Sequence, residues 1–404
     1  RDVNGAAYVD ILTITSNNTV TADLHSSVTH DGNTILTDAD LLDEDDMASD
    51  SATDAASQQS VKAYADLTRK NLLINGDFSV SQRLTTFASG TTPANSDDTY
   101  LLDRWLLISD GNDIVDVTQQ SGGGVSGNEH YIRLDVETAQ KKFGILQIIE
   151  NKNLKSIIGG TASLSFEAKV SDITKLTDIR AVVLAWDSTA DTVTSDIISA
   201  WNVEGTRPTL VANWTEENTD SDLGVTASWV KYTIANISID TASTTNVAVF
   251  IYQNDVATND TTGKFLEITN VQLESGLAAT DFDYRDFGTE LLLCKRYHEE
   301  LNAEANVAFQ YGMGQCITTT TARSVGNYLE KRIVPGVTVS AAADFDVRQA
   351  DNSAQAVTVL TLSGISKTSL NFSITVAANL VAGNATRLSD DTTGVSRVKI
   401  DAEL

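Results

Sequence analysis

Cysteine is almost missing from this chain of 404 residues: there are two, Cys294 and Cys316. Two thiols cannot build a disulfide framework, and their separation matches no metal-ligand spacing, so they read as buried free thiols. Basic residues are also in short supply. The 28 Lys and Arg face 55 Asp and Glu, a net charge of −27, which argues against nucleic acid and anionic membrane surfaces as partners. No apolar run reaches the roughly 18 residues that a membrane-crossing helix needs. Lys, Glu and Met are too few for a helical protein, whereas Thr, Ser, Asn, Asp, Val and Ile abound, so the class reads as mainly β. Only three prolines occur, Pro93, Pro208 and Pro335. No internal repeat of about 20–50 residues is present, which excludes a solenoid or propeller. The chain has no signal peptide and starts at Arg1 without a Met; it reads as a fragment of something longer or a processed product.

What is present is organised around a joint, the stretch from Asp50 to Phe78. Ser51 and Asp54 have the spacing of a capping box. Behind them, Val61, Ala65 and Thr68 recur at helical spacing, with Tyr64 and Leu67 widening the stripe. Residues 51–70 are therefore predicted to form a helix of about 30 Å. The stripe is thin and rich in alanine, and isolated helices of this length are marginal in water. Copies of itself are its simplest partners, so a parallel three-stranded bundle is expected. Asn71–Phe78 then reads as a strand opening a β domain, with Asn75-Gly76-Asp77 as turn residues.

Four regions follow. Residues 1–49 form a slender shaft or linker, or in the blander reading a partly disordered arm, and 50–70 the trimerising helix. Residues 71–287 carry strand candidates at Asp103–Ser109, Ile114–Gln119, His130–Glu137, Gly144–Ile149, Ala162–Val170, Arg180–Trp186, Trp229–Ile239, Asn246–Gln253 and Phe265–Glu274. Strands this dense, without intervening helices, indicate two packed antiparallel sheets. Residues 288–404 read as a small β-sandwich whose helix runs from Thr289 to Leu301.

Several phrases are familiar. Asp43-Glu-Asp-Asp-Met-Ala-Ser-Asp-Ser-Ala-Thr and Ser57-Gln-Gln-Ser-Val-Lys-Ala-Tyr64 resemble a linker recurrent in tail-fibre and other tail proteins of tailed bacteriophages. So do Asn71-Leu-Leu-Ile-Asn-Gly-Asp-Phe-Ser-Val-Ser-Gln-Arg83 with Asp103-Arg-Trp105, Val271-Gln-Leu-Glu-Ser-Gly276 with Thr280-Asp-Phe-Asp-Tyr-Arg285, and Glu290-Leu-Leu-Leu-Cys-Lys-Arg-Tyr297. The ending Lys399-Ile-Asp-Ala-Glu-Leu404 is similar to how such chains finish. The resemblance implies a homotrimeric fibre on the virion, joined to tail or baseplate proteins through an upstream segment. It also implies a jelly-roll carbohydrate-binding module over 71–287. Modules of that kind often hold a structural Ca²⁺ with an acidic residue after the Phe and paired aspartates on the closing strand. This chain departs at both places, with Ser79 and with Thr269-Asn270, and no metal or cofactor is expected.

A glycan site needs aromatic faces with polar groups at the rim. Trp186, Trp201, Trp214, Tyr252 and Gln253 are the candidates, against ordinary packing. Trp105 and Trp229 look like core residues. His25 and His30 sit five apart in the shaft, where a trimer axis gathers imidazoles, but they match no repeated ligand pattern and read as solvated. His130 and His298 are lone, without a recognisable nucleophile motif. Asp187, Asp191, Asp196, Glu216, Glu217, Asp220 and Asp222 read as a solvated acidic loop rather than a Ca²⁺ loop. Ser121-Gly-Gly-Gly124 is no phosphate loop. The expected function is non-enzymatic adhesion to a host-surface polysaccharide, with a glycan depolymerase and a passive fibre spacer as the alternatives.

Overall fold

The computed structural model describes residues 71–404, apart from 126–127, 241–242, 257–261 and 303–308, together with four two-residue strands before them. Residues 69–404 form one compact unit and residues 1–68 another. In the shorter unit Thr29–His30 pairs antiparallel with Asn33–Thr34, and Leu41–Leu42 pairs in parallel with Ala55–Ala56. Within the span 51–70, Ala55–Ala56 is thus paired as strand where helical turns are expected from the sequence. The rest of that span, with Val61, Tyr64, Ala65, Leu67 and Thr68, lies outside the described residues, as do His25 and most of the shaft.

The larger unit is mainly β. Two six-stranded antiparallel sheets make a jelly-roll sandwich. The first runs Trp214–Glu216, Leu176–Trp186, Asn246–Val256, Phe143–Ile149, Leu106–Ser109, Thr99–Tyr100. The second runs Val230–Ser238, Thr161–Val170, Phe265–Ser275, Asn128–Val136, Val115–Gly123, Thr86–Phe87. Every long strand read from the sequence between residues 103 and 274 is present, with its ends moved by a few residues. Leu134, Phe166, Val183, Val249 and Ile268 belong to the core cluster between the sheets. Each such side chain contributes about 1.5–3 kcal/mol by leaving water.

The sheets differ on their outer faces. The second sheet alternates: in Asn128–Val136, Ile132, Leu134 and Val136 are buried, whereas Arg133 and Asp135 keep contact with solvent. The first is apolar on both sides. Along Leu176–Trp186, Ile179, Ala181 and Val183 face the core between the sheets, while Val182, Leu184 and Trp186 belong to a separate outer cluster.

Asn71–Phe78 is not the opening strand expected. It is a buried, turn-rich segment in which Asn75 and Phe78 take left-handed φ values of 58° and 56°. The Asn75 amide explains the turn: its Nδ2 donates to the Val80 and Asp103 carbonyls, and its Oδ1 accepts from the Val80 N–H. Gly76 lies so close to the Phe265–Ser275 strand that a Cβ there would stand 2.1 Å from the Val271 carbonyl oxygen, so only glycine fits.

Beyond the jelly roll, Phe287–Lys295 is a helix capped by Asp286, whose side chain accepts from the Thr289 N–H at 3.0 Å. It ends before Leu301 because His298–Asn302 pairs instead with Arg397–Asp401. Gly336–Val339 flanks the latter strand to complete a three-stranded sheet. The strands Gln310–Cys316, Thr321–Asn327, Ser369–Val376, Ala354–Ser363, Phe345–Gln349 and Ala385–Asp390 close into a six-stranded barrel, where the sequence suggested a small sandwich. Both cysteines are buried and free. A charged seam joins barrel and jelly roll: buried Arg104 pairs with Glu403, and Arg83 reaches Asp401 and Glu403, each at 3.3 Å.

Candidate functional site: an aromatic-lipped cleft on the open sheet

The aromatics singled out from the sequence do come together, but as packing. Trp186 and Trp214 sit opposite one another in register, with ring centroids 5.2 Å apart. They are 4% and 5% exposed. Their indole N–H groups donate to Thr189 O at 3.2 Å and Thr194 O at 2.9 Å, inside the segment that roofs the first sheet. Tyr252 stacks on Phe250 at 4.6 Å and is fully buried, as is Gln253. The Tyr252 hydroxyl donates to Asp220. Trp201 lies 6.1 Å from Tyr252 and is the one indole of the set that keeps partial exposure. These residues hold a loop onto a sheet, so the aromatic platform expected of them is not open. The neighbouring acids are anchors as well: Asp191 accepts from the Asn151 N–H at 2.8 Å, and Glu216 pairs with Arg207 at 2.5 Å. A shallow hollow of about 580 Å³ beside Arg207, Leu210, Trp214 and Glu216 is what remains open there. Trp105 is core, as expected, whereas Trp229 is only half-buried, edge-on to Tyr131 at 5.3 Å.

The better site is on the second sheet, whose alternating strands leave a polar face. A cleft of about 500 Å³ opens there. Its floor is the Thr161–Val170 strand, which presents Ser165 and Glu167. Lys231 comes from the strand on one side, opposite Glu167 in register, and Asn270 from the strand on the other. Val125 forms one lip. Asp281, Phe282 and Tyr284 form the other, with the two rings edge-to-face at 4.8 Å and Tyr284 57% exposed.

The polar groups are held in place. Asn270 Nδ2 donates to Glu167 Oε1 at 3.1 Å and to the Tyr284 hydroxyl at 3.2 Å. The other Glu167 oxygen accepts from the Val125 N–H. Lys231 Nζ donates to Thr280 O at 2.8 Å and lies 3.5 Å from Asp281. Asn270 itself is 3% exposed at a left-handed φ of 51°, and its Oδ1 has no hydrogen-bond partner. A buried carbonyl oxygen left unpaired is costly, and its position at the cleft floor suits an incoming hydroxyl. Burial, aided by the Glu167 and Asp77 charges, raises the Tyr284 phenol above its usual value against the Asn270 hydrogen bond, so it stays a protonated donor. Beside the cleft, Glu267 is fully buried between Arg133 at 2.5 Å and Lys169 at 2.9 Å. Among the described residues no group of three or more His, Cys, Asp or Glu is arranged to hold a metal ion. Sequence reasoning quoted Thr280-Asp-Phe-Asp-Tyr-Arg285 without seeing a site in it. The signal was there: two aromatics alternating with aspartates just past a closing strand.

No protein-family model matches the chain, and no curated protein does. Among solved structures the chain is similar to the enzymatically active domain of tailspike protein 4 of bacteriophage CBA120, at 16% identity and a TM-score of 0.30, covering 51% of this chain and 21% of that one. It is also similar to TmCBM61 in complex with beta-1,4-galactotriose, at 14% identity and a TM-score of 0.27, covering 51% of this chain and 99% of that one. A third likeness is to the CBM22-1–GH10 modules of Clostridium thermocellum xylanase 10B complexed with xylohexaose, at 12% identity and a TM-score of 0.30, covering 52% and 29%. The chain thus spans about a fifth of the tailspike domain and under a third of the xylanase modules. At such distances the jelly roll stands on its own strand order rather than on these neighbours.

Proposed function

We propose that this chain is a glycan-binding head without catalytic activity, the distal part of a homotrimeric bacteriophage tail fibre that attaches to a host-surface polysaccharide. The observation that carries the binding reading is the cleft on the second sheet. Phe282 and Tyr284 supply faces for sugar C–H surfaces, while Ser165, Lys231 and Asn270 supply the polar floor that fixes hydroxyls. Glu167 is held at the cleft floor by a hydrogen bond to each carboxylate oxygen, from Asn270 and from the Val125 N–H, which fixes the floor that hydroxyls would meet. The fibre reading rests on the phrases running from Asp43 to Leu404. In it Val61, Tyr64, Ala65, Leu67 and Thr68 form the trimerising stripe, and an upstream segment meets tail or baseplate proteins. Three heads multiply a weak sugar affinity through avidity, with no new contact.

A glycan array probed with the wild type and with Tyr284→Ala tests this. Binding to a host polysaccharide is expected, and Tyr284→Ala should weaken it by up to about tenfold, the cost of losing one stacked aromatic. Binding unchanged in that variant removes the cleft from the argument. Release of reducing ends on incubation with polysaccharide favours the depolymerase, and no binding to any host glycan favours the passive spacer.

A further inference from the structure

A second cavity, of about 400 Å³, lies in the seam where the three-stranded sheet meets the jelly roll. Register puts it together. His298 faces Asp401 and Glu300 faces Lys399 across one strand pair, and Thr338 sits beyond Lys399 on the other. In these strands alternate residues share a face, so the side chains of His298, Glu300, Lys399, Asp401 and Thr338 lie together. The opposite face, with Val398 and Ile400, packs into the barrel core. Arg83 and Tyr100 close the cavity from the jelly-roll side.

The polar atoms here are unusually under-used. Both Glu300 carboxylate oxygens are buried and accept no hydrogen bond. The nearest cations are Lys399 Nζ at 3.2 Å and His298 Nε2 at 3.6 Å. His298 Nε2 has no hydrogen-bond partner, nor has Arg83 Nη1. One buried donor, one imidazole nitrogen and one two-oxygen acceptor thus border a single cavity, and each is costly to leave unmade. The space greatly exceeds the roughly 30 Å³ share of one water and opens at the exposed rim residues Thr92 and Thr338. Arg83 and Lys399 oppose Asp98, Glu300 and Asp401, with His298 able to add a proton. A strongly charged ligand of either sign therefore meets like charge. A neutral molecule whose hydroxyls both donate and accept does not, and the Tyr100 ring offers its carbons a partly exposed apolar wall.

We propose that this seam is a second saccharide site, sized for one monosaccharide unit and separate from the cleft on the second sheet. It stands whether or not the sheet cleft binds glycan. The test uses ligand-observed NMR with methyl glycosides of glucose, galactose, mannose and N-acetylglucosamine, on the 404-residue chain carrying Tyr284→Ala, in which the sheet cleft is crippled. Saturable binding of at least one glycoside is expected. Adding Thr338→Trp, which fills the rim from an exposed position, should abolish it with thermal melting unchanged. Adding Glu300→Gln should weaken it about tenfold, the loss of one charge-assisted hydrogen bond. Absence of saturable binding in the Tyr284→Ala protein, or binding that survives Thr338→Trp, overturns the proposal. If the tryptophan variant does not fold, unaltered affinity in Glu300→Gln overturns it instead.

Discussion

Trp214 and Tyr284 show how one residue type reads differently by place. Trp214 was a candidate sugar platform in sequence terms and Tyr284 was not, but Trp214 is buried against Trp186 and Tyr284 stands 57% exposed. Trp186→Ala should cost about 3–5 kcal/mol, the price of a cavity, whereas Tyr284→Ala should change stability by under about 1 kcal/mol; chemical denaturation of both variants measures the contrast. His298 carries the pH dependence. Burial and Arg83 press its charge down, but the hydrogen bond to Asp401 and the Glu300 carboxylate 3.6 Å from Nε2 outweigh them, so its folded value is raised above the usual 6.5. Its contribution to stability is therefore full below about pH 6.5 and drains away as pH rises through the folded value. For Asp401, whose side chain stays half exposed, partial desolvation again opposes the charge, and the His298 hydrogen bond and Arg83 overcome it, holding the carboxyl well below 3.8. That contribution is present above about pH 4 and is lost on acidification through the folded value. Melting temperatures measured from about pH 5 to 9 should fall on the alkaline side, and His298→Gln should flatten that fall. An equal slope in the variant places the titration elsewhere.

At the level of elements, the long strands were legible because their burial pattern is local. Tyr131 to Val136 alternates, and the structure leaves Arg133 and Asp135 on one side of that strand in contact with solvent. The unbroken run Ala181-Val-Val-Leu-Ala-Trp186 carried a further message, that both faces of its sheet are covered, and this is why Trp186 is no platform. Asn71–Phe78 misled because its β-like composition is overruled by two left-handed residues and a buried amide. The helix end and the barrel closure depend on pairing with strands far along the chain, such as Leu301 with Val398, which no local pattern announces. The cleft was hidden for the same reason: Ser165, Lys231 and Tyr284 meet only after folding. One element-scale outcome follows from the seam. Arg104 is buried with its guanidinium 3.7 Å from the centre of the Tyr297 ring, and Glu403 supplies its counter-charge. Glu403→Ala strands that cation and should destabilise the head by about 3–5 kcal/mol, read as a lowered denaturation midpoint. A loss under about 1 kcal/mol would mean that water or another acid replaces it.

For the whole molecule, charge is the governing quantity. A trimer would carry 3 × −27 = −81 charges, so self-repulsion should oppose assembly at low ionic strength and screening should relieve it. Light scattering on the chain should find trimer, favoured as salt rises from about 10 to 150 mM, over which the screening length falls from about 30 to 8 Å. A monomer at every concentration and salt removes the fibre reading and leaves the jelly roll untouched. The seam has a bearing on synthesis too. Arg83 and Arg104 are made about three hundred residues ahead of their partners Asp401 and Glu403. A nascent head therefore holds the buried Arg104 without its Glu403 counter-ion until translation has passed residue 403, so the jelly roll emerges well before the charge that completes it, and products cut short of that residue should be recognisable to proteases as open.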